Sequence, residues 1–118
     1  MRLSSLALWL SSVAGLTVFL SGCKALPPSK SESQWTRQEA RGAQVFQQKC
    51  SKCHYPTTTH SRKGPGLQAI TKAPRLPSGA SPTDERLIQT IRKGRLEMPA
   101  AQLSDDQMKD LLAYLHTL

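Results

Sequence analysis

The hydrophobic pattern changes character twice along the chain. Residues Leu3 to Leu20 are mostly apolar, broken only by scattered Ser and Gly. Lys24 to Gln34 is polar, with Pro27-Pro28 and several serines, and reads as a flexible tether reaching ~35 Å when extended. From Trp35 the pattern becomes periodic. Thr36-Arg37-Gln38-Glu39 has the T-x-x-E form of a capping box and predicts a helix start. Along that helix Ala43, Phe46, Cys50 and Cys53 recur at intervals of three and four, which puts them on one face. Gly42, one turn before Phe46, leaves room for another backbone.

Tyr55 to Ser81 is irregular, punctuated by Pro56, Gly64-Pro65-Gly66, Pro74, Pro77 and Gly79. Within it only Leu67 to Ile70 predicts a helical turn. Ser81-Pro82 predicts an N-cap followed by proline at the first helical position. Leu87, Ile88 and Ile91 form the apolar stripe of this second helix, and Gly94 is its stop. Arg95 to Leu103 is a loop containing Met98-Pro99. Ser104-Asp105-Asp106-Gln107 is a second capping box; its helix buries Met108, Leu111, Leu112 and Leu115, with Leu103 placed to staple onto Met108. No segment alternates with period two. The predicted fold class is therefore all-α, with three main helices.

At 118 residues the chain holds one small domain beyond its apolar leader. The leader ends on Leu20-Ser21-Gly22-Cys23, which resembles the lipobox of bacterial lipoprotein signal peptides. That resemblance implies a signal peptide over 1–22, a diacylated Cys23 as the new N-terminus, a tether over 23–34 and a domain over 35–118. The other reading is an uncleaved transmembrane helix, since 18 residues are marginally long enough to span a bilayer. Both place the domain in the cell envelope, periplasmic or otherwise extracytoplasmic, held at a membrane.

Three cysteines are odd for an exported protein; with Cys23 given to lipid, only Cys50 and Cys53 remain. The domain's aromatics are Trp35, Phe46, Tyr55 and Tyr114, and about a third of it is loop. A domain this small usually needs disulfides, a metal or a large buried group. No disulfide framework is available, so something else must fill the middle.

Charge narrows the partners. The chain is +8, and cleavage of the leader removes only Arg2, leaving 15 − 8 = +7. The cations are spread along the domain without interleaved aromatics, a poor pattern for nucleic acid. A basic face fits an acidic protein partner or an anionic lipid surface better.

The chemistry concentrates in Cys50-Ser51-Lys52-Cys53-His54. A thioredoxin-like dithiol should follow a strand and open a helix, whereas this pair follows a helix and enters a loop. A zinc site would need Cys50, Cys53, His54 and His60 to close a tetrahedron, but adjacent residues such as Cys53 and His54 point apart. Covalent haem explains the order best. Thiols at i and i+3 match two porphyrin vinyl groups, and the next residue is carried beneath the ring, where its imidazole can bind iron.

At this point Thr36 to Leu118 resembles the small class I cytochromes c. The resemblance rests on Gly42 and Phe46, CSKCH, Gly64-Pro65-Gly66-Leu67, Met98-Pro99 and Leu111 to Leu115. It implies three helices wrapped around one haem c, with the first and last crossing at the glycine and aromatic positions. It implies that Pro65 O accepts the other N–H of His54 and that Met98 is the sixth iron ligand. The proline-rich middle departs from mitochondrial relatives, so the propionate environment does not carry over. Met108, at a stapled helix position, reads as core, and His60 as a solvated loop histidine; both remain rival ligands. His116 reads as exposed at the negative end of the last helix. Arg62, Lys63, Lys72 and Arg75 face propionates, a partner or only solvent.

The function expected is that of a membrane-tethered, His/Met-ligated cytochrome c: not an enzyme, but a single-electron carrier between extracytoplasmic redox proteins. A haem enzyme or gas sensor with a dissociable Met98, taking peroxide or nitric oxide, is the alternative; a haem-free dithiol oxidoreductase is the other.

Overall fold

The computed structural model describes residues 26–118. The expected leader, lipidation site Cys23 and first tether residues lie outside the described residues. A 3-10 turn at Glu32–Gln34 precedes three α-helices: α1 (Arg37–Lys49), α2 (Asp84–Lys93) and α3 (Asp105–Leu115). Among the described residues there is no strand, only an isolated bridge between Arg95 and Met98.

Helix starts follow their caps. Thr36 and Ser104 each close a full capping box, with Glu39 and Gln107 reaching back to the cap amides at 2.6 and 3.0 Å. The start of α2 differs from the Ser81-Pro82 expectation. Thr83 is the N-cap, its hydroxyl accepting from Arg86 N–H, and Asp84 and Glu85 occupy the first turn. Two carboxylates beside the unsatisfied N–H groups suit the positive end of the helix. Gly94 ends α2 as expected.

The helices α1 and α3 pack together. Gly42 makes this approach possible: a Cβ there would run into Asp110 O and lie 2.7 Å from Tyr114 Cβ. Arg41 grips Asp110 through two bonds of 2.8 and 3.0 Å, and the Tyr114 ring meets Phe46 and Trp35 at centroid distances of 5.4 and 5.3 Å. Around this crossing the core gathers Val45, Phe46, Ile70, Leu76, Leu87, Ile91, Met108, Leu111, Leu112, Tyr114, Leu115 and Leu118. Of the predicted stripe of α2, Leu87 and Ile91 are buried and Ile88 is half-buried; all four predicted residues of α3 are buried.

Two local expectations change. Leu67 to Ile70 forms turns rather than helix, with Ala69 at φ +54°. The stretch expected to be free up to Gln34 is docked from Lys30. Its N–H donates to Thr117 O (2.6 Å), its ammonium pairs with Glu39 (2.8 Å), and its carbonyl accepts from Trp35 Nε1 (3.2 Å).

Candidate functional site

The site begins where α1 stops. Cys50 is the C-cap, and the chain leaves it through tight turns in which the amides of Cys53 and His54 both return to Cys50 O at 3.0 Å. These bonds keep Cys50, Cys53 and His54 on one turn although the helix itself has ended. Both thiols are free and half-buried.

A second loop is laid across this turn by backbone pairing. Gly64 N–H donates to Cys53 O (2.8 Å), and Leu67 N–H to Tyr55 O (2.9 Å). The Arg62 guanidinium donates to Ser51 O (2.8 Å) and lies 5.4 Å from the centre of the Tyr55 ring. The clamp sets Pro65 O 2.8 Å from His54 Nδ1. A carbonyl oxygen only accepts, so Nδ1 carries the proton and Nε2 keeps its lone pair for a metal.

Glycine is required at this closure. A Cβ on Gly64 would meet His54 Cε1 and lie 2.9 Å from Nδ1; one on Gly66 would meet Thr58 O and lie 2.7 Å from His60 O. These steric roles, and the Arg62–Tyr55 brace, were missed in reading the sequence. The glycines of the GPGL tetrapeptide were a signal for the steric roles; nothing in the sequence pattern pointed to the brace.

Met98 comes from a different element. After Gly94, at φ +72°, the chain makes a two-residue turn through Leu96 and Glu97, closed by reciprocal Arg95–Met98 backbone bonds of 2.9 Å. Met98 is half-buried and packs against the core cluster. Met108 is 3% exposed in α3 and belongs to the core, while His60 is exposed. His116 is exposed too, and its Nε2 pairs with Asp84 Oδ1 at 2.8 Å, joining the end of α3 to the start of α2. Of the four cations suggested for propionates, three are already held by carbonyls: Arg62 by Ser51, Lys72 by Leu118 (2.9 Å) and Arg75 by Gly79 (3.0 Å).

The donor set separates the chemistries. Burial, helped by the neighbouring Cys53, pushes the Cys50 thiol up to about 11. Disulfide exchange needs a thiolate near neutral pH, which this environment opposes. Among the described residues no three His, Cys, Asp or Glu side chains converge to hold a metal ion, which counts against zinc. A free Nε2 beside two half-buried thiols suits a group that takes covalent links to sulfur and one nitrogen ligand.

Residues 37–115 match the family described as cytochrome c oxidase, cbb3-type, subunit III. The chain belongs to this family of c-type cytochromes. No curated protein matches it. The cytochrome's cofactor is a covalent haem c with its iron, and Cys50, Cys53 and His54 have the C-x-x-C-H spacing of the attachment motif. Cytochrome domains of this kind serve electron transfer and typically work outside the cytoplasm. Among the described residues no helix is long and apolar enough to cross a membrane.

Proposed function

We propose that this cytochrome is a single-electron carrier whose haem is joined to Cys50 and Cys53 and ligated by His54 and Met98. The observation that carries this reading is the 2.8 Å contact from His54 Nδ1 to Pro65 O. When bound, the haem iron supplies reversible one-electron chemistry. The chain's own residues set its terms. Pro65 O fixes the His54 tautomer and ring orientation and makes Nε2 a better donor. Gly64, with no Cβ, lets the loop lie against the imidazole. The neutral Met98 thioether favours the reduced state over what a second histidine or a thiolate would give. If His54 and Met98 both hold the haem, no open site would remain for a small molecule, and the pair would suit a carrier better than the enzyme or sensor alternative.

The same proposal extends to location and partners. Cys23 carries lipid, so the carrier works at a membrane surface outside the cytoplasm. Its excess of cations steers it to redox proteins with acidic faces.

The test is Met98→Ala. The variant should lose the weak far-red band of a methionine–iron bond, fall in midpoint potential and bind carbon monoxide when reduced. A variant with the parent spectrum would show that Met98 is not the ligand.

A further inference from the structure

Pro65 O has to be held on His54 by something other than its own residue. Proline has no N–H to pair, and the glycines on either side leave the backbone free. The close approach that demands Gly64 and Gly66 therefore also loosens the loop that carries the carbonyl. Two backbone bonds flank it, from Gly64 N–H to Cys53 O (2.8 Å) and from Leu67 N–H to Tyr55 O (2.9 Å). Both end in the attachment turn. Neither ties the loop to a helix.

Arg62 supplies that tie. Its backbone N–H donates to Gly64 O (2.9 Å), a tight turn that makes the two residues move together. Its guanidinium donates to Ser51 O (2.8 Å). Ser51 is in turn bound to the last turn of α1, by its N–H to Phe46 O (3.1 Å) and its hydroxyl to Gln47 O (2.6 Å). A cation here also suits the negative end of that helix. The same guanidinium sits over the Tyr55 ring, 5.4 Å from its centre. One side chain thus reaches from between the two cysteines to the residue just past the histidine. That geometry calls for a planar cation, which donates at its edge while its face covers a ring. Lysine carries the charge but cannot do both.

We propose that Arg62 is a positioning residue for the His54 ligand, tying the Gly64-Pro65 loop to the end of α1 and so holding Pro65 O on Nδ1. The consequence falls on the midpoint potential. A firmly held Nδ1–H makes Nε2 a stronger donor, and a stronger donor favours ferric iron. The charge of Arg62 acts the other way, since a nearby cation favours the ferrous state. The two contributions are separable by substitution. This inference rests on His54 as an iron ligand and adds what fixes its ring.

The experiment uses the full-length, haem-loaded protein with isotope-labelled histidine, and follows solvent exchange of His54 Nδ1–H by NMR in the reduced state. Arg62→Lys keeps the charge and removes the clamp. It should speed that exchange about threefold to tenfold, as the loss of one surface hydrogen bond implies, and raise the midpoint potential. The amides of Leu111 and Leu112 in α3 should exchange at the parent rate, because the opening is local. Arg62→Met should match Arg62→Lys in exchange, with a lower potential than Arg62→Lys because the charge has gone too. Tyr55→Phe keeps the ring and should behave as the parent, whereas Tyr55→Leu should speed the His54 exchange. Parent exchange at His54 in both Arg62→Lys and Tyr55→Leu would overturn the proposal. So would exchange at Leu111 and Leu112 that accelerates in step with His54, the mark of an ordinary loss of stability. A potential lowered in Arg62→Met but unchanged in Arg62→Lys would overturn it too, by leaving charge as the whole of Arg62's role. A parent protein whose His54 ring protons lack the large upfield shift imposed by a porphyrin ring current overturns ligation by His54 itself, and this inference with it.

Discussion

Gly64 and His54 show how much chemistry hangs on single atoms. The imidazole lies against a residue with no Cβ, and there its Nδ1–H reaches Pro65 O. Gly64→Ala should force the ring or the loop to move and break that bond. The cost is about 0.5–1.5 kcal/mol for the lost hydrogen bond, which lies at an exposed site. In a domain this size each kcal/mol lowers the melting temperature by roughly 4–8 °C. A thermal melt of the ferric protein, followed at the haem band, checks it. The effect should exceed that of Gly79→Ala, where a Cβ meets nothing within 4 Å but the positive φ still adds strain. His54 itself was identifiable from its place in CSKCH. The state of its ring followed only from the family resemblance, which named Pro65 O as its partner; the residues themselves do not give it, because a tautomer depends on a partner eleven residues away.

Among the elements, the α1–α3 crossing governs the haem attachment turn, because α1 ends on Cys50. At that crossing Gly42 faces backbone, not a flexible side chain, so the clash with Asp110 O has no easy relief. Gly42→Ala should destabilise the protein by about 1–3 kcal/mol through overpacking. Chemical denaturation of the haem-loaded protein is the measurement; a change below the error of the midpoint would mean the helices separate freely. Capping boxes made the starts of α1 and α3 legible, since both partners of each box lie within four residues. The start of α2 was less so. Ser81 and Thr83 both offer a capping hydroxyl, and the acidic pair after Thr83 decides between them.

For the whole molecule, the long stretch from Cys53 to Thr83 contains no helix, and one cluster serves as the core of all three helices. Ordering each residue costs roughly 1–2 kcal/mol of backbone entropy, which so small a core barely offsets. Substituting Cys50 and Cys53 by Ala, to prevent haem attachment, should therefore leave a chain without a cooperative melt and with little fixed helix. Native-like circular dichroism in that variant would refute the idea.

Acid sensitivity is a property of the whole surface. Lys30, then the Thr36 N–H, hold the Glu39 carboxyl below its ordinary range, and Arg41 does the same for Asp110. Because both folded values are lowered, their stabilisation is present at neutral pH. It is lost as pH falls through the ordinary carboxylate range to the lowered folded values. Asp110→Asn should thus be slightly less stable than the parent at pH 7, with the gap closing towards pH 3. Melting temperatures across that range test it. The effect is small, since the Arg41 partner is exposed.

What the sequence determined by itself was whatever depends on neighbours along the chain. This includes the helix class, the caps at Thr36 and Ser104, the stop at Gly94, the buried faces of α2 and α3, and the C-x-x-C-H spacing. Periodicity and capping act over one or two turns, so one strand of text holds them in full. Tertiary structure decided what depends on distant segments meeting. It docked Lys30 on Thr117 and Glu39, closed the Gly64–Pro65 loop over His54, and paired His116 with Asp84. It also left Leu96 exposed at the tip of the turn before Met98. Apolar residues do not announce whether they will be covered; that depends on which surfaces the folded chain brings against them.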